Sequence, residues 1–226
     1  MLAVIKKELK SYLLTPVGYV FTGLFLLIFS IFFYITLFQQ RVVNFEYLFF
    51  NGATILTFVT PILTMRMFAE ERKNGTEQLL LTSSKGLVSI VLGKFIAAAI
   101  IMLVTELFTL IYFGILSYFG KPSLAVALNT LLGFFLLSLS YISFGMFASS
   151  LTENQIVASV ITIGTFLAMW FVPMNQGFLS IFSLMDKFEK YSYGLISIPD
   201  IVTFVTFTLT FIFLTVVVLQ RRKSVK

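Results

Sequence analysis

The sequence predicts an all-α polytopic membrane protein with six transmembrane helices, and three observations carry that expectation. Hydrophobic residues make up 58% of the 226 positions and charged residues only 12%, with a mean hydropathy of +0.99. A water-soluble domain of this size needs far more polar surface. Six apolar runs are long enough to cross a bilayer. The charges stand almost entirely between those runs, and unevenly on the two sides.

Residues 1–16 form the first element. Leu2, Ile5, Leu9 and Leu13 recur near the helical period against Lys6, Lys7 and Lys10, which predicts an amphipathic interfacial helix. Pro16 suits the first turn of the next helix, where its missing N–H costs nothing. A first span covers 17–38. A polar link with Arg41, Asn44 and Glu46 leads to the second, 47–65, where Pro61 is expected to kink the helix. The third span, 87–118, exceeds bilayer thickness and is expected to tilt or project. Gly120-Lys121-Pro122-Ser123 is a turn, and the fourth span is 124–149. The fifth, 155–172, is stopped by Pro173. Residues 174–199 mix Phe and Leu with Asp186, Lys187, Glu189 and Lys190, which fits short interfacial helices. The sixth span, 200–219, closes on Arg221-Arg222-Lys223. The whole of 1–226 reads as a single transmembrane domain. A cleaved signal peptide is not expected, because Met1–Lys10 leads into a full-length span.

Six spans place both termini on one side. That side collects twelve of the sixteen Lys and Arg residues, and the other holds only Arg41, Lys121, Lys187 and Lys190. Basic residues stay inside, so both termini are expected in the cytoplasm of a multi-pass protein of the cell membrane, of bacterial origin. The net charge of +6 sits beside apolar spans and reads as anchoring to anionic lipid, with no nucleic acid as partner.

The chain has no Cys and no His, which removes thiol and imidazole chemistry and most zinc or haem ligation. Gly93-Lys94 lacks the spacing of a phosphate loop, and Phe95 stands where such a loop needs Ser or Thr. Carboxylates are scattered, and adjacent Glu70 and Glu71 point different ways on a helix. No catalytic residue, bound cofactor or metal is expected.

One segment stands apart. Met65–Thr82 is a polar island between spans two and three, with acids matching bases and a leucine-rich end. Orientation alone does not require that balance. Gly75 reads as a helix stop, and Thr76 as the cap of a short helix beginning Glu77-Gln78-Leu79. Such a helix presents an apolar patch that a partner can bury.

The run Phe68-Ala69-Glu70-Glu71-Arg72-Lys73-Asn74-Gly75-Thr76-Glu77-Gln78-Leu79-Leu80 resembles the F-x-E-E-[RK]-x-x-G-T-x-E-x-L-L signature of ABC-2-type permeases. Glu77 follows Thr76 directly, whereas the family's second acid usually stands two residues after the threonine. Lys6-Lys7-Glu8-Leu9-Lys10 with Pro16, Leu92-Gly93-Lys94-Phe95, and Phe182, Phe188 and Gly194 are also similar to the family. The subgroup it most resembles contains gliding-motility and copper-enzyme-maturation permeases. The resemblance implies a dimer, with a second copy or a sister permease. It also implies a separate ABC ATP-binding subunit that carries the ATP and magnesium. Phe68, Glu70, Glu71, Arg72, Gly75, Thr76, Glu77, Leu79 and Leu80 would then couple to that ATPase, and Phe182, Phe188 and Gly194 would form an outer gate. Together these readings describe the permease of an exporter. A non-transporting anchor or signalling module that recruits a soluble protein through the island is the alternative. An enzyme acting on lipids comes last.

Other residues stand outside the signature. Glu106 lies at membrane depth and is a candidate for the translocation path, against a structural reading in which it bonds to Thr105, Thr109 or another helix. Lys94 reads as a snorkelling lysine. Gly145 with Ser149 and Gly164 with Ala168 are small pairs suited to close helix contact, a dimer contact included. The 28 Phe residues read as packing and lipid-facing groups.

Overall fold

The computed structural model describes residues 1–39, 45–78, 86–171 and 183–224, and in these residues the regular structure is helical. The order is α1 (Leu2–Leu14), α2 (Pro16–Tyr34, extended by a π-helical turn Ile35–Gln39), α3 (Phe45–Thr64), α4 (Ala69–Lys73), α5 (Leu87–Phe119), α6 (Leu124–Leu151), α7 (Gln155–Trp170), α8 (Leu184–Ser192) and α9 (Ile198–Ser224). Five described segments are long and apolar enough to span a membrane: those of α2, α3 through α4, α5, α6 and α9. The expected fifth span, 155–172, corresponds to the 16-residue apolar helix α7. At 1.5 Å per residue it rises about 24 Å, short of the roughly 30 Å hydrocarbon core. Residues 172–182, with Pro173 and Phe182, lie outside the described residues.

α6 is the central helix, packed on α9, α3, α8, α5 and α7. Its small residues allow that. A Cβ on Gly133 would overlap the Tyr191 ring of α8, and one on Gly145 would overlap Thr64 of α3. Gly145 is therefore filled from within its own chain, which corrects its reading as a dimer contact. Gly164 of α7 has open space beside it.

On α2, Phe21, Phe25, Phe29 and Phe33 follow each other at i+4, form one face and are buried. They meet rings from other helices: Phe29 with Phe49 at 5.3 Å, Phe25 with Phe134 at 5.9 Å, and Phe134 with Phe49 and Phe188 at 4.9 and 5.9 Å. Many phenylalanines thus join helices, while Leu27, Ile111 and Phe213 remain exposed on the outside of the bundle. Hydroxyls inside the bundle mostly bond back to the preceding turn, as Thr105 does to Ile101 and Thr162 to Ala158.

α1 divides its predicted apolar face between the bundle and the outside. Leu2, Leu13 and Leu14 are exposed, and the side that packs on the bundle carries Val4, Ile5, Glu8, Leu9 and Tyr12. Val4 rests on Gly93 of α5, so closely that a Cβ there would fall 2.7 Å from it. The rest of the helix is exposed, with Leu2, Leu13 and Leu14 beside Lys6, Lys7 and Lys10.

Candidate functional site

The island begins where α3 ends. Four residues turn the chain from Thr64 into α4, and Ser149 of α6 holds them. Its hydroxyl accepts the N–H groups of Phe68 and Ala69, both at 3.1 Å, and donates to the Met65 carbonyl at 2.9 Å. Two of the unpaired donors at the start of α4 are satisfied in this way. Phe68 is itself buried.

α4 ends at Asn74, and Gly75 takes φ of 71°, a left-handed stop that suits glycine. The Thr76 hydroxyl donates back to the Glu71 carbonyl at 3.1 Å, so it serves the end of α4. Of the helix expected beyond it, only Glu77 and Gln78 are described; Leu79 and Leu80 lie outside the described residues.

Four charged residues of the motif have distinct ionic partners. Glu70 forms a two-pronged pair with Arg66, at 2.6 and 2.7 Å. Glu71 points the other way, as expected, and accepts from Lys94 of α5 at 2.8 Å. Arg72 meets Glu153, in the link between α6 and α7, at 2.8 Å. Glu77 is nearly buried and accepts from Arg222, near the end of α9, at 2.9 Å.

Lys94 does not snorkel. Its side chain is 3% exposed, and its ammonium lies between Glu71 and Glu8 of α1, the latter at 3.2 Å. The ammonium also stands 5.3 Å from the centroid of the Phe68 ring. Two carboxylates and a ring face draw the amine inward, where solvation alone would have drawn it to water. Tyr12, one turn along α1 from Glu8, donates to the Leu63 carbonyl at 3.2 Å. Burial, followed by the nearby Glu8 carboxylate, holds its phenol well above the ordinary value, so it stays a donor. Between α1 and the island is an open cavity of about 550 Å³, lined in part by Glu8, Tyr12, Arg66, Glu71 and Lys94.

At the far end of the bundle, α8 lays Leu184, Phe188 and Tyr191 against α6 and α3. Gly194 follows it at φ 75°, and Asn129 of α6 donates to its carbonyl at 3.3 Å. Phe188 and Gly194 of the expected gate are thus near α6. Glu106 is buried midway along α5, and neither carboxylate oxygen has a partner among the described residues. The neighbouring hydroxyls are committed elsewhere. Thr105 pairs with Thr22 of α2 at 3.0 Å, and Thr109 donates to the backbone carbonyl of Glu106. The expected bonds from Thr105 and Thr109 to the carboxyl are not made.

Glu8, Tyr12, Ser149, Glu153 and Arg222 are absent from the sequence-derived set. A signal existed for the first two. Glu8 is the only acid in α1, and it shares one helix face with Val4 and Tyr12. The roles of Ser149 and Arg222 at the island become visible only through contacts more than 80 residues apart in sequence.

The family model described as ABC-2 family transporter protein matches residues 34–219 of this chain. No curated protein matches it. The match covers most of the sequence, and the chain belongs to the ABC-2 transporter family.

Proposed function

We propose that this ABC-2 family chain is the permease subunit of an ATP-driven exporter, close to the gliding-motility and copper-enzyme-maturation subgroup. It couples through residues 68–84 to a separate ATP-binding subunit, which carries the ATP and magnesium. The observation that supports this reading best is the set of ion pairs on the island. Glu71, Arg72 and Glu77 connect it to α5 and α1, to the α6–α7 link and to α9. A push on the island is therefore delivered to several helices together, as alternating access requires. Glu106 supplies an acceptor along the path, and α8 with Phe188 and Gly194 closes its far end. The exposed Gly164 and Ala168 of α7 give a second permease copy a surface for close approach.

The test is purification of the chain from its native membranes with whatever ATPase accompanies it, followed by mass spectrometry and measurement of ATP hydrolysis. Burying one leucine stabilises a contact by about 1.5–3 kcal/mol, roughly ten- to hundredfold in affinity. Leu80→Asp is expected to insert normally and lose both the ATPase and its stimulation. Full recovery of an ATPase with Leu80→Asp would reduce the island to a connector. Glu106→Gln keeps shape and removes ionisation. Unchanged transport at every pH tested would remove Glu106 from the path.

A further inference from the structure

The end of the bundle opposite the island holds a second cavity, of about 360 Å³, where α3 begins and α8 ends. It is lined by Glu46, Tyr47 and Phe50 from α3, and by Glu189, Ser192 and Tyr193 from α8 and the turn after it. Among these described lining residues the charge has one sign. Both lysines of α8 are held by α9: Lys187 donates to Thr203 at 2.8 Å, and Lys190 reaches Asp200 at 3.4 Å. Neither neutralises the cavity. Glu189 accepts only a long bond from Tyr193, at 3.4 Å. Glu46 forms no ion pair or hydrogen bond among the described residues. Ser192 Oγ is buried with no hydrogen-bond partner. Tyr47 and Tyr193 are 44% and 71% exposed, which leaves their ring faces free.

We propose that this cavity binds an organic cation carrying an alkyl- or aryl-ammonium group. Two carboxylates from different helices supply the counter-charge, and three rings supply faces whose negative quadrupole attracts a cation. Among the described lining residues an anion would meet two carboxylates and no base. A bare calcium ion takes six to eight oxygen ligands, which walls made of rings do not offer. The volume lies at the lower end of the usual range for small-molecule sites. The ammonium group can belong to a free solute or to a lipid headgroup. The inference stands apart from the transport reading, because it concerns equilibrium binding by the chain alone.

The experiment is saturation-transfer NMR on the full chain in neutral maltoside micelles. Its probes are phenyltrimethylammonium and the neutral isostere tert-butylbenzene. Saturable binding of the cation is expected, with the isostere at least about tenfold weaker. Glu46→Gln and Glu189→Gln preserve shape, and each is expected to weaken binding about tenfold. Tyr193→Leu, at an exposed position, should weaken it about threefold. Equal melting temperatures show that the variants are folded. If added phosphatidylethanolamine competes, the ligand is a lipid headgroup; if it does not, the ligand is a free solute, and either result supports an ammonium site. Equal binding of both probes, indifference to both Glu→Gln changes, or no saturable binding up to about 10 mM would overturn the proposal.

Discussion

The island and α8 are both short polar segments between long apolar helices, yet they are fixed by different forces. The island is held by charge. Glu70, Glu71, Arg72 and Glu77 each have an ionic partner, and Ser149 ties the first turn. α8 has one long ion pair, Lys190 with Asp200, and is held chiefly by shape, with Phe188 against Phe134 and the Tyr191 ring against Gly133. Ion pairs exchange partners at modest cost when both states offer one, whereas an interlocked ring moves only if its pocket opens. The comparison teaches where this bundle is suited to rearrange and where it is suited to stay closed.

Breaking the central ion pair should produce the largest effect. Lys94→Met leaves Glu8 and Glu71 close together without a cation, and losing one partner of a buried pair costs about 3–5 kcal/mol. A markedly lower melting temperature in detergent is expected, with much of it restored when Glu8→Gln and Glu71→Gln are added. If the triple variant is no better than Lys94→Met, packing and not charge holds this end.

Volume should matter at the other end. Gly133→Ala forces the added methyl group into the Tyr191 ring, an overpacking worth about 1–3 kcal/mol. Tyr191→Leu on the same background should relieve it, and the melting temperature reads both. A neutral Gly133→Ala would mean that α8 is only loosely seated. The smallest effect is expected from Arg72→Gln, because Glu153 is 60% exposed and such pairs contribute about 0.2–1 kcal/mol. Urea midpoints should differ little from wild type, and the small difference should shrink in high salt.

Much of this architecture was legible in the sequence, because hydrocarbon punishes charge and spans are read from where charge is missing. The start of α2 at Pro16, the close of α4 at Gly75 and the opposed directions of Glu70 and Glu71 were all readable from local rules. What resisted was pairing across the chain. Lys94 reads as a snorkelling lysine when only its own helix is considered, since the partners that draw it inward lie 86 and 23 residues away. Gly145 looked available to a second copy because nothing local shows that Thr64 already fills it. The protein-facing side of α1 was unreadable for a related reason. Val4, Leu9 and the polar Glu8 and Tyr12 make its contacts with the bundle, while Leu2 and Leu13 stay outside.

The central claim is that the island passes force into the bundle through its ion pairs, and the pair between Glu77 and Arg222 tests it with the fewest side effects. Arg222 is 23% exposed and Glu77 11%, and the double reversal controls for the cost of changing a nearly buried charge. The measurement is ATP hydrolysis by the ATPase that purifies with this chain, for wild type, Glu77→Arg, Arg222→Glu and the double reversal. Each single reversal sets like charges together and should lose most of the stimulation, and the double reversal, which restores an attractive pair, should recover it. Wild-type stimulation in both single reversals would contradict the account.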